Sequence, residues 1–311
     1  MTIARDHGGG LDAAIKTYGG TRDVWLDLST GINPVPYPMP RLPAEAWTAL
    51  PDKGAFDRLY SLARHFWSVP DGAAILAANG ASPIIAALPR VLPQGTVYIP
   101  GPTYNEHGAA FQAAGWDLGQ DPSHAMVAVQ PNNPDGHLWQ VDDLTAPITI
   151  IDESFADVTP DRSMMMRADQ PGTVILKSFG KFWGLAGVRL GFAIGDPEII
   201  NNLAELLGPW QVSGPALSVG AEALSDPEWA DETRARLQAD ADRLDTLLAG
   251  KGAELVGGTT LFRLYKVQNA AAAQAQLAQH KVWSRVFPYD PNWLRLGLPP
   301  QDRWDQLEAA F

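Results

Sequence analysis

The sequence predicts an α/β fold: a mostly parallel central sheet sandwiched by helices, with a smaller α+β domain. Three observations carry this. Short apolar runs bounded by turns recur at 74–77, 97–100, 126–129, 148–151, 174–176 and 190–194, and each reads as a buried strand. Helical patterns at 56–67, 83–92 and 107–114 lie between several of them. After about residue 215 the character changes to a long helical stretch followed by further strands.

In chain order, residues 1–44 hold one strand-like run, 24–28, and a proline-rich stretch, 33–43; this segment is expected to pack with the small domain and over the active site. Residues 45–215 form the large domain, in which Pro89 is expected to kink the helix at 83–92. Residues 216–311 form the small domain. Its helix at 228–248 runs up to Gly250 and Gly252, which suit a helix end. Strands follow at 260–265, 282–287 and 293–298, with the alanine run at 270–273 in a helix between the first two.

Composition narrows the chemistry. With 46% apolar and 19% charged residues, the 311-residue chain can bury a sizeable core. The formal net charge of -12 repels phosphate backbones, so nucleic acid is not an expected partner. An anionic substrate then requires a locally positive site. The absence of cysteine excludes disulfide, thiol-nucleophile and thiolate-metal chemistry. None of the six histidines pairs at an i, i+4 spacing, so no metal site is expected. The N-terminal MTIARDHGGG lacks the apolar run of a signal peptide, and no stretch nears the roughly 18 apolar residues of a membrane span. A cytoplasmic protein is expected.

Five loops at strand ends hold the candidate chemistry. The first spans 175–191, ILKSFGKFWGLAGVRLG. A lysine on a loop at a sheet edge is partly desolvated, which makes its amine nucleophilic toward an aldehyde. Ser178 and Arg189 flank Lys181 at offsets that let both reach one phosphate. Lys177 is a weaker rival, because it lies in the strand end and lacks the serine at that offset. The second loop follows ITIIDESF at 148–155, where Asp152 can pair with a protonated ring nitrogen. The third is VQPNNPDG at 129–136, where Asn133 can donate to a ring oxygen; a plain tight turn is the alternative. The fourth, Asn79-Gly80-Ala81-Ser82, opens a helix whose amides can cradle a phosphate. The fifth, Gly101-Pro102-Thr103-Tyr104, offers a ring that can stack on a flat ligand.

The order Gly80-Ala81-Ser82, Pro102-Thr103-Tyr104, Asn133-Pro134-x-Gly136, Asp152-Glu153, Ser178-x-x-Lys181 and Arg189 resembles the fold-type I, class I and II aminotransferases, which use pyridoxal 5'-phosphate. Within that superfamily the chain is similar to the branch of histidinol-phosphate aminotransferases and threonine-phosphate decarboxylases. His7-Gly8-Gly9, LDLSTGINP at 26–34 and LPD at 50–52 look most like the decarboxylases of cobalamin biosynthesis, which convert L-threonine O-3-phosphate to (R)-1-amino-2-propanol O-2-phosphate.

The resemblance implies the following roles. Lys181 carries the cofactor as a Schiff base and shuttles protons, and Asp152 pairs with the pyridine nitrogen. Asn133 binds the phenolic oxygen and Tyr104 stacks on the ring. Ser82, Ser178 and Arg189 hold the cofactor phosphate with the amides of Gly80 and Ala81. Arg295 clamps the substrate carboxylate, which Asn33 also touches. His7 and Arg263 are candidates for the substrate phosphate. The family also implies a homodimer. Two departures point away from transamination: Phe155 stands where many aminotransferases carry a tyrosine, and Leu50 precedes Pro51 where histidinol-phosphate aminotransferases tend to have tyrosine. The alternatives left open are an aminotransferase acting on histidinol phosphate or a related amino acid, and a non-catalytic ligand-binding module.

Overall fold

A computed structural model of the chain describes residues 7–311. The strands are β1 (Leu26–Asp27), β2 (Ala74–Ala78), β3 (Thr96–Tyr98), β4 (Asp117–Gly119), β5 (Ala125–Val129), β6 (Ile148–Asp152), β7 (Thr173–Ser178), β8 (Gly191–Gly195), β9 (Glu254–Thr259), β10 (Phe262–Lys266), β11 (Val282–Trp283), β12 (Arg285–Phe287) and β13 (Asp290–Gly297). The chain divides into two compact units. The larger comprises Tyr37–Asn133 and His137–Asp231; the smaller comprises the described residues up to Pro36, Pro134–Gly136 and Glu232–Phe311.

The larger unit holds a seven-stranded sheet in the order β2-β8-β7-β6-β5-β3-β4. Strands β4, β3, β5, β6 and β7 run parallel to one another, while β8 runs antiparallel to both β7 and β2. This arrangement brings the ends of β2, β5, β6 and β7 and the start of β8 to one rim, where open α/β sheets bind ligands. Strands β5 and β8 are buried at every position, as their unbroken apolar runs require. Against the sheet, Ile84 and Leu88 of the helix Ala81–Val91, Phe111 of Asn105–Ala113, and Ile200 and Leu203 of Pro197–Leu207 pack into one core with Val127, Ile150 and Val174. Burying each such side chain contributes about 1.5–3 kcal/mol.

The parallel α/β architecture expected from the sequence is present, with additions. The helices Pro197–Leu207 and Gly214–Leu224 were not anticipated, although each carries a start signal. Asp196 accepts from the Glu198 amide ahead of Pro197, and Ser213 accepts from the Ala216 amide ahead of Pro215. Strand β4 was also missed, because Asp117-Leu118-Gly119 is exposed at the sheet edge and has no apolar run. Pro89 lies inside its helix, which continues to Val91.

In the smaller unit, β12, β13, β10 and β9 form an antiparallel sheet in that order. Asn269 caps the helix Ala270–Gln279, accepting from the Ala272 amide at 2.9 Å. The run at 24–28 is a strand only at β1, preceded by a 3-10 turn at Arg22–Val24. The run at 282–287 splits: β11 pairs with β1, and β12 pairs with β13. The helix Pro227–Ala249 starts in the larger unit and belongs to the smaller one from Glu232 onward. Among the described residues, no helix is long and apolar enough to cross a membrane.

Candidate active site

A cavity opens at the rim of the larger sheet. Its wall includes Ala81, Ser82, Tyr104, Asn133, Asp152, Ser154, Phe155, Ser178, Lys181 and Arg189. Strand-end loops supply most of these, so the sheet's topology gathers residues that lie far apart in sequence. All the residues expected to hold a cofactor line this wall except Gly80, which sits directly behind it.

Gly80 caps the helix Ala81–Val91 at φ +89°, a backbone conformation that only glycine adopts without strain. A Cβ at Gly80 would lie 2.5 Å from Arg189 Nη2. The missing side chain is therefore what lets the guanidinium settle against the helix N-terminus. Arg189 itself is held at φ 56°, a left-handed geometry that is uncommon for a side-chain-bearing residue. Its Nη1 donates to the Ala186 carbonyl at 3.3 Å. Helix amides, two serine hydroxyls and an arginine fork converge here, a donor set that suits a phosphate.

Also on the cavity wall, Asp152 is buried with only 2% exposure. Its Oδ2 lies 2.8 Å from His107 Nε2. Its Oδ1 accepts from the Ser154 amide at 3.0 Å and the Ser154 hydroxyl at 2.5 Å. Burial pushes the carboxyl pKa up, but the hydrogen bonds from His107 and Ser154 and the attraction of His107 outweigh it and hold the group below the ordinary carboxylate range. The site thus keeps a buried anion ready for a cation. The Tyr104 ring stands edge-on to His107, with centroids 5.9 Å apart. Lys181 Nζ lies 5.2 Å from the centre of the Phe155 ring. A flat, phosphorylated ring with a basic nitrogen and an aldehyde matches this set of groups, so the residues present fit pyridoxal phosphate.

The rivalry between the two lysines is resolved by the pleat of β7. Lys177 is turned away from the cavity wall, on the side of the strand opposite Ser178. There Lys177 Nζ lies 2.7 Å from Glu153 Oε2 and 3.2 Å from Asp157 Oδ1, fully buried. Asp157 also accepts from Trp67 Nε1 at 3.0 Å and from Trp183 Nε1 at 3.1 Å. Burial alone would lower the Lys177 pKa, but the two carboxylates raise it above the ordinary value. An ion-paired, charged amine is poorly suited to be a nucleophile, and Lys181 is the lysine that lines the cavity.

Trp183 also fixes the loop that carries Lys181. Its ring stacks between Phe179 and Trp229, with centroids 5.2 and 5.4 Å away and both interplanar angles 12°. Within the loop, the Phe179 amide donates to Leu190 O and the Leu185 amide to Phe179 O.

The expected substrate residues belong to the smaller unit. Arg295 is buried and donates from Nη2 to the Ser29 carbonyl at 2.7 Å. The Ser29 hydroxyl in turn accepts from the Gly9 amide at 2.7 Å. Asn33 Oδ1 accepts from the Val35 amide and from Arg236 Nη2, at 3.0 and 2.8 Å. His7 is exposed. Arg263 is unsuited to a substrate phosphate, because Asp245 holds its Nε and Nη2 at 3.0 and 2.6 Å.

Three side chains were missed from sequence. His107 and Ser154 flank Asp152, and Arg285 stands opposite Arg295 in the β12–β13 register. The guanidinium carbons of Arg285 and Arg295 lie 5.5 and 5.9 Å from the Phe287 ring centre, so the same aromatic ring contacts both arginines. Alternation within 282–287 could have flagged Arg285. Nothing local in the sequence links His107 to Asp152.

Comparison with known proteins agrees with this geometry. The aminotransferase class I and II family matches residues 117–310. The chain belongs to this family. It is 38% identical to a threonine-phosphate decarboxylase of Sinorhizobium sp, over 97% of this chain and 96% of that protein. It is 37% identical to the threonine-phosphate decarboxylase of Pseudomonas aeruginosa, over 98% and 97% of the two chains. The fold matches a histidinol-phosphate aminotransferase from Sinorhizobium meliloti, solved in complex with pyridoxal-5'-phosphate. The TM-score is 0.82 over 99% of this chain and 94% of that one, at 16% identity.

Proposed function

We propose that the protein is a pyridoxal-phosphate-dependent decarboxylase. Its substrate is L-threonine O-3-phosphate, and the product, (R)-1-amino-2-propanol O-2-phosphate, serves cobalamin biosynthesis. The likeness to threonine-phosphate decarboxylases over nearly the whole of both chains carries the choice of reaction. The cavity wall supports the choice of cofactor.

When bound, pyridoxal phosphate supplies an aldehyde that condenses with amines and a ring that takes up the electron pair released at Cα. The chain's own residues do the rest. Lys181 would hold the cofactor through its amine and would be the proton donor to Cα, from Nζ. Asp152 remains ionised and keeps the ring nitrogen protonated. Asn133 donates to the phenolic oxygen, and Tyr104 covers one ring face. Ser82, Ser178 and Arg189, with the amides of Gly80 and Ala81, hold the cofactor phosphate. Phe155 offers no donor to the phenolic oxygen, so Asn133 serves that oxygen without a tyrosine.

Arg295, Asn33 and His7 are proposed as substrate contacts, and Arg285 joins them. Two arginines paired in the β12–β13 register are the candidates for the positive charge that an anionic substrate needs on a chain of net charge -12. A homodimer is also proposed. Trp47, Leu50 and Trp210, exposed at 69%, 65% and 54%, are large apolar side chains that a second copy would cover.

The test is to incubate the pyridoxal-phosphate-loaded protein with L-threonine O-3-phosphate, without a keto acid, and follow CO2. Sustained release over many turnovers is expected. No CO2, with glutamate or histidinol phosphate converting the cofactor to its pyridoxamine form, would replace this reading with an aminotransferase.

A further inference from the structure

We propose that Ser154 is a positioning residue: its hydroxyl fixes the Asp152 carboxylate so that a single oxygen lone pair remains to meet the ring nitrogen of the cofactor. This rests on reading the cavity as a pyridoxal-phosphate site.

The argument is a count of acceptor sites. An ionised carboxylate offers about four lone-pair directions. At Asp152 three are taken. The Ser154 amide and hydroxyl both donate to Oδ1, and His107 Nε2 lies at hydrogen-bond distance from Oδ2. Because Asp152 carries no proton, the hydroxyl of Ser154 must be the donor in the 2.5 Å contact. One acceptor direction is left, on Oδ2. Without that hydroxyl, acceptor directions open on both oxygens and the carboxylate loses its single aim. Ser154 and Asp152 both line the cavity wall, so the clamp acts at the cofactor surface rather than in the core behind it. The amide of Ser154 holds the same oxygen at 3.0 Å, so the variant lacking the hydroxyl keeps part of the clamp. The effect is therefore graded rather than total.

The experiment compares dissociation constants of the full chain for pyridoxal phosphate and for its analogue with carbon in place of the ring nitrogen. The proteins are the wild type, Ser154→Ala, Ser154→Thr and the pair Asp152→Asn with and without Ser154→Ala. A hydrogen bond to a charged group is strong enough for Ser154→Ala to weaken pyridoxal phosphate binding about ten-fold. Binding of the nitrogen-free analogue should stay within about two-fold of wild type, because the clamp has no nitrogen to serve. Ser154→Thr should restore the affinity, and in the Asp152→Asn background Ser154→Ala should have no effect. Equal weakening of both ligands would overturn the proposal by showing a merely structural role, and so would no weakening of either. If the wild type binds neither ligand, the cofactor reading of the cavity falls and the role of Ser154 falls with it; if it binds the two equally, the ring nitrogen gains nothing from Asp152 and this proposal alone is overturned.

Discussion

Replacing Lys181 by alanine should lower kcat for CO2 release on the order of ten-thousand-fold, the upper end of what one acid–base group supplies. The amine is asked to do two jobs, covalent capture and proton delivery, and no other lysine lines the cavity wall. Lys177 cannot substitute, because Glu153 and Asp157 hold it on the opposite face of β7. The fold should survive, since Lys181 lines a cavity rather than filling the core; a melting temperature close to wild type would establish that. A variant that kept more than a tenth or so of the activity would remove Lys181 from the chemistry.

The Lys177→Met variant should show the opposite pattern: a large loss of stability from a residue that never meets the substrate. It would leave Glu153 and Asp157 buried without their counter-ion. Removing one partner of a buried pair costs about 3–5 kcal/mol. For a unit of this size that lowers Tm by on the order of 10 °C, which calorimetry can read. The pH dependence has a definite sign. The Lys177 amine titrates above its ordinary 10.5 in the folded chain. Its contribution is fully present below 10.5 and is lost as pH rises through the higher folded value. The variant should thus be weaker at neutral pH and lack the Lys177 share of the alkaline fall in stability expected of the wild type. Wild-type stability in Lys177→Met would mean that Trp67 and Trp183, which donate to Asp157, and the Ser163 hydroxyl and Met164 amide, which donate to Glu153, satisfy the two acids alone.

The two lysines also show what sequence could and could not supply. Both sit in ILKSFGKFWG, four residues apart, Lys177 near the end of β7 and Lys181 on the loop that follows it. The serine offset favoured Lys181, but only the pleat shows that Lys177 turns away from the cavity. The parallel sheet was readable because buried strands need unbroken apolar runs, and β5 to β8 have them. Edge strand β4 lacks one and was missed. That the expected cofactor residues gather at one cavity follows from their places at or beside strand ends, where α/β sheets place ligands. His107 was not, because its contact with Asp152 spans 45 positions. Ser154 lies two positions from Asp152, yet a serine there looks like any turn residue. Arg285 was hidden by treating 282–287 as one strand, when it divides between two sheets.

The three-ring stack of Phe179, Trp183 and Trp229 bears on which part of the molecule can move during turnover. Loops near active sites commonly open and close, and their amides exchange with solvent quickly. The loop carrying Lys181 is built differently. Phe179 and Trp183 are fully buried, and the Phe179 and Leu185 amides are hydrogen-bonded beside them. In deuterium those amides should exchange only when the larger unit opens as a whole, on the slow timescale of its core strands. Slow exchange there would mean that the proposed Schiff-base lysine is carried by a rigid segment. Any opening that admits substrate and releases product has to come from other segments.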